Sequence, residues 1–390
     1  MCAAPAGEAN MFATRLFYMA GVALLLASPV LAKPAPTLTT LYSFGGYSGD
    51  GAVPAAKLIY HAGSLYGTTS TGGATDNGTV FKVNPATGAE TVVYSLPGAV
   101  GPAPRTGLIY LNHELYGTAE GGGINGGSVF SVHPATGRGK LIYEFGVPPD
   151  ASVPFGELLA VQNELYGVAQ YGGTTPADGA IYKIDPSSGA ETVVHNFVGA
   201  DGANPSGALI YVGKNLYGTT QLGGGKADGG TIFRFNPATG KTHIIYRFQG
   251  GTDGLSPNAG LLQQDGILYG TTLSGGTADA GTVFKIDVTT GAETVIYSFQ
   301  YGSDGANPAS SLIALHGLLY GTTTGGGTLG FGTLFSIDPQ SGAETILHSF
   351  TGGLDGAIPF AGVIYAGGQL YGTTESGGAV GGGTVYKIQP

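Results

Sequence analysis

The tripeptide LeuTyrGly starts at Leu65, Leu115, Leu165, Leu216, Leu268, Leu319 and Leu370, so a unit of 50 to 52 residues is written seven times along a chain of 390. A fixed period of this length restricts the chain to an array in which each unit buries its apolar faces against a neighbour. The first copy shows what a unit contains. LysLeuIleTyr (57–60), LeuTyrGlyThrThr (65–69), GlyThrValPheLysVal (78–83) and GluThrValValTyrSer (90–95) are short runs rich in Val, Ile, Tyr, Phe and Thr, bounded by Gly, Asn and Pro. Such runs read as strands, here named A to D, and no stretch of helical period competes with them.

The links between strands fall into two classes. A–B is a short hairpin link, and C–D is stereotyped: AsnProAlaThrGly at 84–88 recurs at 236–240, with HisProAlaThrGly at 133–137 and AspProSerSerGly at 185–189. Proline presets such a turn and glycine supplies its positive φ. B–C and D–A are longer, Gly-rich and irregular, and in an antiparallel four-stranded unit they emerge on the same side.

Seven such units predict an all-β fold, a seven-bladed β-propeller with four antiparallel strands per blade around a central channel. Strands apolar on both sides fit blades buried on both faces. The last unit stops after strand C, at 383–388, while ThrLeuThrThrLeuTyrSerPhe at 37–44 reads as a strand D lacking its A, B and C. The N-terminal strand is therefore expected to join the C-terminal blade and close the ring. An open solenoid would leave 38–44 unpaired. Gly67 and its six equivalents are expected to let blades crowd near the axis or to serve a turn.

Composition excludes several classes. The 73 glycines follow no three-residue period, so the chain is not collagen, and 42% hydrophobic residues with 17 Phe and 22 Tyr are too many for a disordered linker. With 15 Lys and Arg against 25 Asp and Glu, a net charge of -10, no nucleic-acid partner is expected. Residues 1–32 carry Arg15, an apolar run at 16–27, Pro29 and then ValLeuAla, the pattern of a secretory signal peptide cleaved before Lys33, with Met11 a second candidate start. The run falls short of the roughly 20 residues a span needs. No stable membrane insertion is expected after cleavage, and 33–390 reads as a single propeller domain. Cleavage removes Cys2, the one cysteine, which suits a secreted or periplasmic protein without disulfides.

The recurring LeuTyrGlyThrThr, GlyGly, GlyThrValPheLys and ProAlaThrGly resemble the bacterial secreted GloVer tandem-repeat proteins and, more distantly, kelch repeats. The resemblance covers 37–389. It is specific for the repeat, and carries no defined activity or catalytic set.

No GxSxG elbow, GxxxxGK[ST] loop, HExxH or CxxC occurs. The seven histidines read as dispersed turn and packing residues: His61, His113 and His316 in A–B turns, His133 in a C–D turn, His195, His243 and His348 in D strands. A D–A loop motif, Asp followed four residues later by Pro, recurs at Asp50, Asp150, Asp201, Asp253, Asp304 and Asp355, and B–C loops add Asp76, Asp178, Asp228 and Asp279. Ten aspartates on one face create a negative potential. Each also suits a turn in which the carboxylate binds its own backbone. Hard oxygen ligands would suit calcium, the one cofactor considered, at Asp76, Asp178, Asp228 and Asp279.

The copies disagree five residues after each LeuTyrGly leucine, at Ser70, Glu120, Gln170, Gln221, Leu273, Thr324 and Glu375. Asp50, Asp201, Asp253, Asp304 and Asp355, with Gln170 and Gln221, are the candidate contacts of a cationic or polyhydroxylated ligand. The expected function is a monomeric, non-enzymatic binding propeller whose partner is a protein or a glycan. The alternatives are a purely structural interaction scaffold, or a hydrolase or lyase acting on extracellular polysaccharide with Glu120 and Glu375 as acid and base. Two blades apart, these two are expected to lie beyond the roughly 5 to 9.5 Å that a glycosidase pair spans.

Overall fold

In the computed structural model, strands A to D of the first unit are Ile59–His61, Ser64–Thr69, Thr79–Val83 and Glu90–Ser95, hydrogen-bonded in that order as one antiparallel sheet. The order recurs in every unit, and the sheets form a seven-bladed β-propeller. The structure describes residues 36–122, 126–146, 149–174 and 178–390, which fall within the compact unit Pro36–Pro390; the expected leader at 1–32 lies outside the described residues. Blade 7 closes as its sequence predicts. Thr39–Ser43 pairs antiparallel with Thr384–Ile388, Thr39 opposite Lys387 and Ser43 opposite Thr384. Thr373 Oγ1 in blade 7 then donates to the Ala56 carbonyl of blade 1 at 3.2 Å, the same interblade bond that Thr68 makes to Thr106.

Burial follows position in the blade. Strands B and C are almost wholly buried, whereas strand D, the outermost, is only half covered. The core is a series of clusters between neighbouring blades, and one of them joins Phe44, Tyr371 and Val385 of blade 7 to Leu58, Leu65 and Phe81 of blade 1. At the end of each D strand an aromatic ring meets, edge to face, the strand-C ring of the next blade: Phe44 on Phe81 at 4.8 Å, Phe145 on Tyr182 at 4.9 Å, Phe350 on Tyr386 at 5.3 Å. Each such pair contributes about 1 kcal/mol beyond the area it buries. The blade 1–2 junction has Leu96 in place of the first ring.

These strand-C rings explain the glycine of LeuTyrGly. Gly67 stands opposite Phe81 in the ladder, and a Cβ there would lie 2.6 Å from the Phe81 ring; the same clash, at 2.3 Å, awaits a Cβ at Gly167 beneath Tyr182. The glycine thus makes room for a ring of its own blade, rather than for the next blade or a turn. The glycine ending the C–D turn answers to two demands. Gly88 has φ +74°, and its Cβ would lie 2.4 Å from the Leu41 carbonyl of the preceding blade, at a bulge in strand D.

Candidate functional site: the rim of the channel

The A strands ring the axis, and the residues between each D–A proline and the following strand line the channel. Lys57, Arg105, Phe155 and Glu157 come from blades 1 to 3, while blades 4 to 6 contribute small or neutral residues such as Ser206, Asn258 and Ser310. The channel holds about 90 Å³, room for about three waters at roughly 30 Å³ each. That is well below the roughly 300 to 1,000 Å³ of small-ligand pockets.

The rim is built on backbone strain. The residue before each D–A proline, Val53, Ala103, Val153, Asn204, Ser256, Asn307 and Ile358, has φ between 52° and 62°. Left-handed geometry is unfavourable for any non-glycine residue, most of all for Val and Ile, and a following proline disfavours helical backbone further. Hydrogen bonds hold it. The Val53 N–H donates to Gly382 O of the preceding blade at 2.8 Å, and its carbonyl accepts from Ser70 N of its own blade at 3.0 Å. Glu120, Leu273, Thr324 and Glu375 are fixed by the same bond to Ala103, Ser256, Asn307 and Ile358. The variable position is thereby stitched to the channel mouth. Strain of this kind gathers where a geometry serves function.

Two rim carboxyls and one guanidinium share this mouth. Arg105 Nε lies 3.9 Å from Glu120 Oε2. Burial raises the pKa of Glu120; Arg105 offsets part of that, and the charge of Glu375 adds to it. Burial likewise raises Glu375, again against Arg105. As the sequence places them, the two glutamates stand on the blades to either side of blade 1, and the charge of Glu375 reaches Glu120 there. Among the described residues, Glu120 Oε1 is buried without a hydrogen-bond partner. Gln170 holds the same variable position in blade 3, where its backbone carbonyl accepts from Asn204 Nδ2 at 3.2 Å, whereas Gln221 Nε2 is held by Asn258 Oδ1. Arg105 went unnoticed in the sequence; the signal was there in the triplet after each D–A proline, which varies while its flanks do not.

The D–A aspartates are engaged between blades. Asp50 accepts from Tyr42 Oη at 2.9 Å and from the N–H groups of Gly45, Gly46 and Gly51. Asp150, Asp253 and Asp304 take the same bond from Tyr143, Tyr246 and Tyr297. Beside each of these four stands the first residue of the next blade's D strand, Glu90, Glu191, Glu293 or Glu344, whose carboxyl is pushed up to about 7 by burial and by the neighbouring aspartate; Tyr47, which donates to Glu90 at 3.1 Å, opposes that rise. Among the described residues, one buried oxygen of each of these glutamates has no hydrogen-bond partner. The other two aspartates bind histidine: His195 Nε2 lies 3.0 Å from Asp201 and His348 Nε2 2.9 Å from Asp355. Burial opposes ionisation of both, but hydrogen bonds from the imidazoles and loop groups hold them below the usual carboxylate range. In these seams Thr242 and Leu38 occupy the glutamate position. At the blade 1–2 seam Val100 replaces the aspartate and Gly139 the glutamate, leaving the space to the Tyr94 ring.

The B–C aspartates brace their own loops, Asp76 accepting from Gly72 N, Asp228 from Gly223 N and Asp279 from Gly275 N. Asp178 and Asp228 line one hollow of about 430 Å³. Among the described residues, no three His, Cys, Asp or Glu side chains group so as to hold a metal ion. The histidines are less dispersed than the sequence reading expects: His61, His113 and His133 line a single groove on the opposite face. Among the described residues no helix is long and apolar enough to cross a membrane.

Comparison with known proteins bears on family and fold. Residues 30–178 and 175–386 match the family model described as the Gloeobacter/Verrucomicrobia repeat. No curated protein matches the chain. The fold is similar to the extracellular domain of a one component system from B. thetaiotaomicron (TM-score 0.57, 14% identity, covering 90% of this chain and 42% of that one). It is also similar to an oligogalacturonate lyase from Vibrio parahaemolyticus (TM-score 0.52, 10% identity, 91% and 97% covered). The chain spans less than half of the extracellular-domain structure, and likeness at these identities concerns the fold alone.

Proposed function

The chain belongs to the Gloeobacter/Verrucomicrobia repeat family, and from that premise we propose that it is a secreted or periplasmic binding propeller that takes a glycan on its upper rim without turning it over. The observation carrying this reading is the rim arc of Glu120, Arg105 and Glu375 on strained, hydrogen-bonded turns beside a channel of about 90 Å³. Carboxylates accept sugar hydroxyls, the guanidinium and the Gln170 amide donate to them, and a preformed rim spares the cost of ordering it on binding. The fold shared with an extracellular domain supports a binding role.

The reading is tested by glycan-array screening followed by calorimetry. Binding of one glycan class, weakened on the order of tenfold by Arg105→Ala, is the expected result. A blank array overturns the glycan reading. Release of cleaved product by the wild type that disappears in Glu120→Gln and Glu375→Gln would assign the two carboxyls to hydrolysis or lysis instead.

A further inference from the structure

On the face opposite the rim, the A–B and C–D turns of blades 1 and 2 enclose a groove of about 470 Å³, within the roughly 300 to 1,000 Å³ of small-ligand sites. Its charged and titratable lining is Lys82, His61, His113, His133, Tyr66 and Tyr110, and among the described residues no carboxylate borders it although the chain carries a net charge of -10. Lys82 sits there without a counter-ion for a reason visible in the repeat. The equivalent lysine of blade 3, Lys183, pairs with Glu164 at 3.4 Å, but blade 1 has Ser64 where blade 3 has that glutamate.

His133 brings a directed donor. Its Nδ1 accepts the N–H groups of Ala135 and Thr136, both at 3.3 Å, as Asn84 Oδ1 does for Ala86 and Thr87 in blade 1. A ring nitrogen that accepts has no proton, so the imidazole carries its N–H on Nε2. Tyr110 ties the other two imidazoles together, stacking on His61 at 3.8 Å between centroids and placing its hydroxyl 3.4 Å from His113 Nδ1.

We propose that this groove is an oxyanion site, binding the carboxylate or phosphate group of a small ligand with Lys82 as the charge and His133 Nε2–H as the orienting donor. A charged ammonium and a fixed N–H, both without an acidic neighbour, are what a charge-assisted hydrogen-bond pair to an anionic oxygen requires. The site is separate from the rim, and neither reading depends on the other.

The test follows the histidine C–H resonances of the protein, made from its full sequence, during titration with sodium phosphate and with sodium acetate at ionic strength held constant by sodium chloride. Saturable shifts of the His61, His113 and His133 signals are expected, with Kd raised about tenfold by Lys82→Gln and unchanged by Lys285→Gln, the equivalent lysine of blade 5. His133→Asn keeps the turn, since asparagine caps it in blade 1, but removes the donor, so it weakens binding even if Lys82→Gln folds poorly. Tighter binding of phosphate points to a phosphorylated ligand, and tighter binding of acetate to a carboxylic acid. Absence of saturable shifts with both anions, or equal affinity in wild type and both groove variants, overturns the proposal.

Discussion

Two kinds of aspartate seam join six of the seven blade pairs, and they solve one problem in opposite ways. Four seams set a tyrosine, an aspartate and a glutamate together, as in Tyr246, Asp253 and Glu293; two set a histidine against an aspartate and omit the glutamate, as in His195 and Asp201 with Thr242. In the first kind a neutral hydroxyl and loop N–H groups donate to the aspartate, and burial together with that aspartate raises the glutamate beside it to about 7. In the second, imidazole answers the aspartate and no second acid is present. A repeated fold can therefore vary its seams so long as the residues of each seam change together, although they belong to two blades.

The comparison can be broken most severely at the shared aspartate. Asp253→Ala leaves the Tyr246 hydroxyl and the N–H groups of Gln249 and Gly254 without their acceptor, which should cost about 3 kcal/mol in urea unfolding; a neutral result would show that the seam is solvated rather than built.

The next test is pH. The four seam glutamates rise from 4.5 to about 7 on folding. A raised acid adds stability that is complete below its unfolded value and lost as pH rises through its folded value. The urea midpoint should accordingly fall between pH 5 and pH 8, and a variant with all four changed to Gln should show a flatter profile. Asp201 and Asp355 are shifted the other way. Their contribution is present above the unfolded value of 3.8 and disappears as pH falls through the lower folded value, so His195→Gln should lose part of the acid limb and leave the alkaline slope intact.

Grafting one seam onto the other is the subtler change. His195→Tyr with Thr242→Glu should be tolerated within about 1 kcal/mol, because both residues already occur together at four other seams; Thr242→Glu alone, setting a second acid beside the His195–Asp201 pair, should be worse than the pair. The smallest effect is expected at the left-handed residue that both kinds share. Val153→Gly and Ile358→Gly relieve strain while loosening the unfolded chain less favourably, so both should stabilise by about 0.5 kcal/mol, equally in a tyrosine and a histidine seam, as measured by thermal unfolding.

The repeat, the four strands, the face carrying the long loops and the closing strand were legible because each is a local pattern copied seven times. The site was legible only in part. The variable rim position marked Glu120 and Glu375, but their mutual field depends on residues 255 apart in sequence meeting across blade 1. The D–A aspartates stood out as a motif, while their partners did not: Tyr143 precedes Asp150 by seven residues and Glu191 follows it by 41, a relation that exists only once blades 2 and 3 are adjacent. The meeting of His61, His113 and His133 was hidden for the same reason, since an A–B turn of one blade faces the C–D turn of the next.

The pairing of Thr39–Ser43 with Thr384–Ile388 has a kinetic side as well. Thr39–Ser43 can find its place only when Thr384–Ile388 has formed, so for most of folding its hydrogen-bonding edge has no native partner. Long-range pairing of this kind is slow, and an exposed edge invites the wrong neighbour. Moving Thr39–Ser43 to the C-terminal end by circular permutation would turn the slowest contact into a local hairpin, and refolding should quicken while the folded ring stays the same.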